Sequence, residues 1–178
     1  MTGGGGHRVT EQWMGEDVET LEDLLKPGLR AVCVGINPAP VSVAVGHYYQ
    51  GKLGKRFWAR LQQIGLLAGA RSGAEDDAAF EEGIGFTDIV KRPSPSEKDL
   101  APEDFDHGRE LLRAKLENGP PGMLIFVFKK AATGLFGPFS GHGFTGHQVA
   151  GVDAFVMPGP FERADKAAIA LGELRARL

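Results

Sequence analysis

The stretch that decides the fold is Leu29-Arg30-Ala31-Val32-Cys33-Val34-Gly35-Ile36-Asn37-Pro38-Ala39-Pro40. Its small and β-branched apolar residues read as a buried strand over residues 29–36. Pro38 disfavours a helical conformation at Asn37, so the strand ends on a neutral amide held by a rigid turn. A Gly- and Tyr-containing loop leads on to Lys55-Arg56-Phe57-Trp58, where Phe57, Trp58, Leu61 and Ile64 recur at helical spacing and Gly65 closes the helix. A polar side chain at the carboxyl end of a strand stands where α/β sheets place their ligands.

The alternation continues along the chain. Residues 1–15 include four consecutive glycines and no apolar period, which predicts a flexible tail before one domain over 16–178. A short helix is expected at 18–25, ending before Lys26-Pro27-Gly28, and a single helical turn at 77–82. Residues 85–90 form a short apolar segment that stops at Arg92-Pro93-Ser94-Pro95-Ser96, where the prolines forbid regular structure. A helix over 102–116 carries Pro at its start, with Glu103 and Asp104 at the positive helix end. A buried strand follows at 123–128, then a helix at 129–136, a Gly- and His-rich loop or hairpin at 137–151, and a strand at 152–157. The chain closes with a helix that aligns Ala167, Leu171, Leu174 and Leu178. Strands alternating with helices predict a three-layer α/β/α sandwich around a central, mostly parallel sheet.

Composition narrows the function. With 178 residues, 42% hydrophobic and 24% charged, the chain fits one soluble domain with one sizeable core. Its longest apolar runs are too short to span a bilayer and no basic region precedes a long apolar one, so a cytoplasmic protein is expected. The one cysteine, Cys33, can form neither an intrachain disulfide nor a four-cysteine iron–sulfur site. His142 and His147 lack a third ligand, so neither a metal nor a cofactor is expected. The net charge of −3 argues mildly against a nucleic-acid partner. The basic residues nevertheless gather near strand ends: Lys52, Lys55, Arg56 and Arg60, then Lys91 and Arg92, Lys129 and Lys130, and Arg163 and Lys166. They read either as one basic face or as solvated helix faces and caps.

Four ordered motifs carry a family likeness: Gly35-Ile36-Asn37-Pro38, Val45-Gly46-His47-Tyr48-Tyr49 with Arg56-Phe57-Trp58, Gly85-Phe86-Thr87-Asp88-Ile89-Val90-Lys91-Arg92-Pro93, and Met157-Pro158-Gly159-Pro160-Phe161-Glu162-Arg163. Together they resemble the mismatch-specific uracil-DNA and thymine-DNA glycosylase branch of the uracil-DNA glycosylase superfamily. Two places depart from its pattern, Ala39 standing where that branch usually has Gly, and Gly159-Pro160-Phe161-Glu162 replacing its usual Ser-rich loop.

The resemblance implies a monomeric, cofactor-free enzyme that hydrolyses the N-glycosidic bond of uracil, and of related damaged or mismatched pyrimidines, in DNA to leave an abasic site. No lysine is placed by motif as an imine-forming nucleophile, so lyase chemistry is not expected. Asn37 would position the attacking water, with Ile36 at the pocket floor and Tyr49 stacking on the extruded base. Gly46 adjoins them. Asp88 would bind a base N–H, assist the water, or simply cap its strand. In the last motif Pro158 would line the pocket, Phe161 would wedge into the vacated stack or belong to a rigid turn, and Arg163 would contact DNA. Lys55, Arg56, Ser94 and Ser96 complete the expected DNA contacts. A nucleoside or free-nucleotide N-glycosidase, and a non-catalytic DNA- or base-binding module, remain the alternatives.

Overall fold

The computed structural model describes residues 6–69 and 71–178. A five-stranded sheet in the order β4-β3-β5-β7-β6 organises the chain, with β3 Ala31–Gly35, β4 Ile84–Asp88, β5 Leu124–Phe126, β6 Gly143–Val149 and β7 Val152–Val156. The β3/β4, β3/β5 and β5/β7 pairs are parallel, and β6 closes one edge antiparallel to β7. Period-two alternation sends Ala31 and Cys33 to one face and Val32 and Val34 to the other. The first face packs on α2 Lys52–Gln63, α3 Glu75–Glu81 and α6 Ala164–Arg177 through Trp58, Leu61, Ala79, Leu171 and Leu174. The second packs on α4 Pro102–Asn118 and α5 Lys129–Phe136 through Leu112, Leu116, Ala131 and Leu135. This is the expected α/β sandwich: the inner strands β3 and β5 are buried throughout and wholly apolar, whereas the edge strand β6 is partly exposed. Burial also pushes the Cys33 thiol far up, so it behaves as a small hydrophobe.

The N-terminal expectation is corrected. Residues 1–5 of the expected tail lie outside the described residues, but from Arg8 the chain forms β1 Arg8–Trp13, paired antiparallel with β2 Glu16–Leu21. The helix expected at 18–25 is thus half strand. Met14 and Gly15, both at positive φ, make the two-residue turn that matches the strand twist. Ala150 and Gly151 do the same between β6 and β7. Trp13 and Leu21 enter opposite cores, and Leu24 then pairs with Phe86, covering the outer edge of β4. No helix among the described residues is long and apolar enough to cross a membrane.

Candidate active site

A cavity of about 480 Å³ opens at the carboxyl ends of β3 and β4. The register that sets Gly35 opposite Asp88 brings the turn after β3 and the end of β4 to its floor. Gly35 leaves room for the two polar side chains beside it, because a Cβ there would lie 2.0 Å from Asp88 Oδ1 and 3.2 Å from the Tyr49 hydroxyl and would force Asp88 to move. The turn is pinned to the segment after β4, with Ile89 N–H donating to Gly35 O and Val90 N–H to Ile36 O. Ile36 and Asn37 line the cavity from this turn, and α1 Pro40–Val45 follows it.

The Asn37 amide has one allowed orientation. Its Nδ2 donates to Arg92 O at 3.0 Å and to Ser94 Oγ at 2.8 Å, and since a carbonyl only accepts, nitrogen must sit on that side. Ser94 in turn donates to Ser96 O at 2.7 Å, so the three groups form one directed chain of hydrogen bonds. Oδ1 is left as the amide's acceptor for a ligand or water. Arg92 is fixed as well, because its guanidinium pairs with both oxygens of Asp104, a carboxylate that also accepts from Trp13 Nε1 at 2.8 Å and Ala101 N at 2.9 Å. Burial works against the Asp104 charge, but these donors prevail and hold it below the usual carboxylate range.

Asp88 is the opposite case. It is 3% exposed, and neither of its carboxylate oxygens has a hydrogen-bond partner among the described residues. Burial first, offset by Lys91, pushes its pKa up to about 7. The Tyr49 hydroxyl beside it is likewise buried and unpartnered, and burial followed by Asp88 keeps the phenol neutral. A buried polar group without a partner costs stability, so three such atoms at one cavity wall mark where a ligand's polar edge belongs. Tyr49 has φ 55° and its ring packs edge-on to Phe57. Its carbonyl sits where a Cβ on Gly54 would fall, only 1.7 Å away, so Gly54 lets this strained loop lie against α2.

Several expected contacts are reassigned. Gly46 does not line the cavity: at φ 87° it is the left-handed cap of α1, and its carbonyl accepts from His7 N. Pro158 lines a small neighbouring cleft, while Pro160 reaches the main cavity. The Ser94 hydroxyl accepts from Asn37 and donates to Ser96 O, so its donor is already used, whereas Ser96 Oγ caps a 3₁₀ turn by accepting from Lys98 N and keeps its own O–H for another partner. Arg56 donates to Pro160 O at 3.0 Å and stands 4.9 Å over the Phe161 ring, and Arg60 donates to Pro158 O. These arginines brace the loop after β7, and Arg56 does so while remaining exposed. Arg163 caps α6 and is held bidentately by Asp165, and Lys91 is 2% exposed, bonded to Leu21 O and Asp23. Phe161 projects outward at 81% exposure, and Arg56 and the Arg163 side chain, the latter 74% exposed, share that surface.

Exposed Lys52, Lys55, Lys129 and Lys130 have no ion-pair partner among the described residues. Lys52 and Lys130 line the cavity from the first turns of α2 and α5, which lack any acidic residue. A lysine at the positive end of a helix is unfavourable by itself and is repaid by an anion. Lys130, Phe128 and Leu21 are cavity residues that no sequence motif singled out.

A family model for the uracil DNA glycosylase superfamily matches residues 22–168, which include every wall of the cavity except Leu21.

Proposed function

The chain belongs to the uracil DNA glycosylase superfamily, and from that premise we propose that it removes uracil, and related mispaired pyrimidines, from DNA as a monofunctional, monomeric hydrolase of the mismatch-specific branch. The observation that carries this reading is the Asn37 amide, whose nitrogen is doubly engaged and whose oxygen is free at the cavity. Such an oxygen accepts a hydrogen bond from a water and holds it beneath the anomeric carbon. An amide is a poor base, so the rate rests on orientation and on stabilising the departing base.

Asp88 supplies the second part. With its pKa about 7, a large fraction of the carboxyl is protonated at neutral pH. The acid form donates a hydrogen bond to a base oxygen as negative charge builds there, whereas the ionised form would repel it. Tyr49 offers a face for the extruded base, worth about 1–3 kcal/mol. Lys52 and Lys130 take the flanking phosphates, and Phe161 fills the vacated stack.

Base release from single-stranded, G·U and A·U oligonucleotides, compared with deoxyuridine, tests the reading. The oligonucleotides should be cleaved and the nucleoside should not; the reverse would make the protein a nucleoside hydrolase. Asn37→Ala should lower single-turnover excision about 10²-fold or more with an unchanged circular dichroism spectrum. A loss of only a few-fold would remove Asn37 from the mechanism.

A further inference from the structure

Outside the residues that line the cavity, three distant segments bring together His7, His47, Asp76 and Asp77, with one ligand atom from each lying within 4.8 Å of the others. His7 precedes β1, His47 follows the cap of α1, and the two aspartates open α3. His7 Nε2 lies 2.6 Å from Asp77 Oδ1 and 4.0 Å from Asp76 Oδ2, and His47 Nδ1 lies 2.9 Å from Asp76 Oδ1.

The geometry points to a structural binding site for one zinc-class divalent cation, held by His7, His47, Asp76 and Asp77. Tetrahedral zinc with bonds of about 2.0–2.1 Å sets its donor atoms roughly 3.3 Å apart, a spacing bracketed by the three contacts above. Four protein ligands leave no open position, which is the pattern of a structural rather than a catalytic zinc. Mixed imidazole and carboxylate donors suit zinc better than calcium or magnesium, which prefer oxygen alone.

The surroundings are built as a metal site requires. The Asp76 side chain is 0% exposed, and its oxygens are oriented by two backbone donors, Tyr48 N at 2.8 Å and Asp77 N at 3.0 Å. His7 is fixed through its own backbone, its N–H donating to Gly46 O at 2.6 Å and its carbonyl accepting from Glu22 N at 2.7 Å. The imidazole rings meet edge to face at 5.3 Å. One divalent cation would offset the charge of both carboxylates at a single point. Bound there, it would clamp the N-terminal hairpin, the loop bearing Tyr49 and α3 to one another.

The test uses the untagged full chain and reads metal, not excision, so it is independent of the glycosylase reading. Titration with Co²⁺ should give the strong visible absorption of a tetrahedral site at one equivalent, displaced by Zn²⁺, and Zn²⁺ should raise the unfolding temperature. Asp77→Asn and His7→Gln should weaken Co²⁺ binding at least about 10-fold. The wild-type chain showing neither a visible band nor a zinc-dependent shift would overturn the site, leaving two His–Asp pairs. Wild-type affinity in both variants would overturn it equally.

Discussion

At the scale of single residues, the cavity contrasts two polar groups that burial treats oppositely. Asn37 has its amide nitrogen satisfied and one orientation, whereas Asp88 is buried with nothing to bind among the described residues. The Asp88 pKa, raised from 3.8 to about 7, makes the folded state hold a proton that the unfolded state releases between those values. Stability therefore declines as pH rises from about 4 to about 7 and is flat above, by about 4 kcal/mol at most. Asp88→Asn removes the ionisation and should raise the unfolding temperature at pH 8 while changing little at pH 4, as calorimetry at the two values would show. In single-turnover kinetics the wild-type rate should fall above pH about 7, and Asp88→Asn, which still donates, should flatten that profile. A rate that instead climbs through neutrality would make Asp88 a base.

At the scale of elements, the loop between β7 and α6 is a short projection tied down from α2 by Arg56 and Arg60, with Phe161 at its tip. An exposed ring whose one noted contact is the Arg56 guanidinium costs the fold little to remove, about 0.5–1 kcal/mol. Phe161→Ala should lower the melting temperature only slightly yet slow excision from duplex uracil substrates much more than from single strands, since only a duplex has a gap to plug. Equal losses on both would show that the loop is no wedge. Sequence made β3, β5, β7, α2 and α4 legible because each is a run whose period matches one burial pattern. It hid the β1–β2 hairpin because Met14-Gly15 is not one of the usual turn pairs, and because β1 and β2 expose much of their polar alternation. That Asn37, Asp88 and Tyr49 meet at one cavity was legible from strand ends and motif. The engagements of Arg56 and Lys91 were not, since they depend on partners such as the Pro160 carbonyl and Asp23 that only the fold brings near.

At the scale of the molecule, the hairpin is part of the core although it precedes the family match. Trp13 fills the second core and donates to Asp104, Leu21 fills the first, and Asp23 receives Lys91 and Lys115. Removing residues 1–21 would open cavities on both faces and leave Lys91 buried without its Leu21 carbonyl. The shortened chain should lose on the order of 5 kcal/mol or more and be largely unfolded at 37 °C, which urea titration would reveal. A truncated protein that melts like the full chain would mean the hairpin merely rests on the surface. The placement of the two tryptophans, Trp13 on one side of the sheet and Trp58 on the other, has an optical consequence. Each indole reports a different layer, and the Trp58 ring stands 5.8 Å from that of Tyr49, at the wall where a base would stack. In a Trp13→Phe protein the remaining emission becomes a built-in indicator of cavity occupancy, so that quenching on mixing with substrate can time base extrusion separately from bond cleavage.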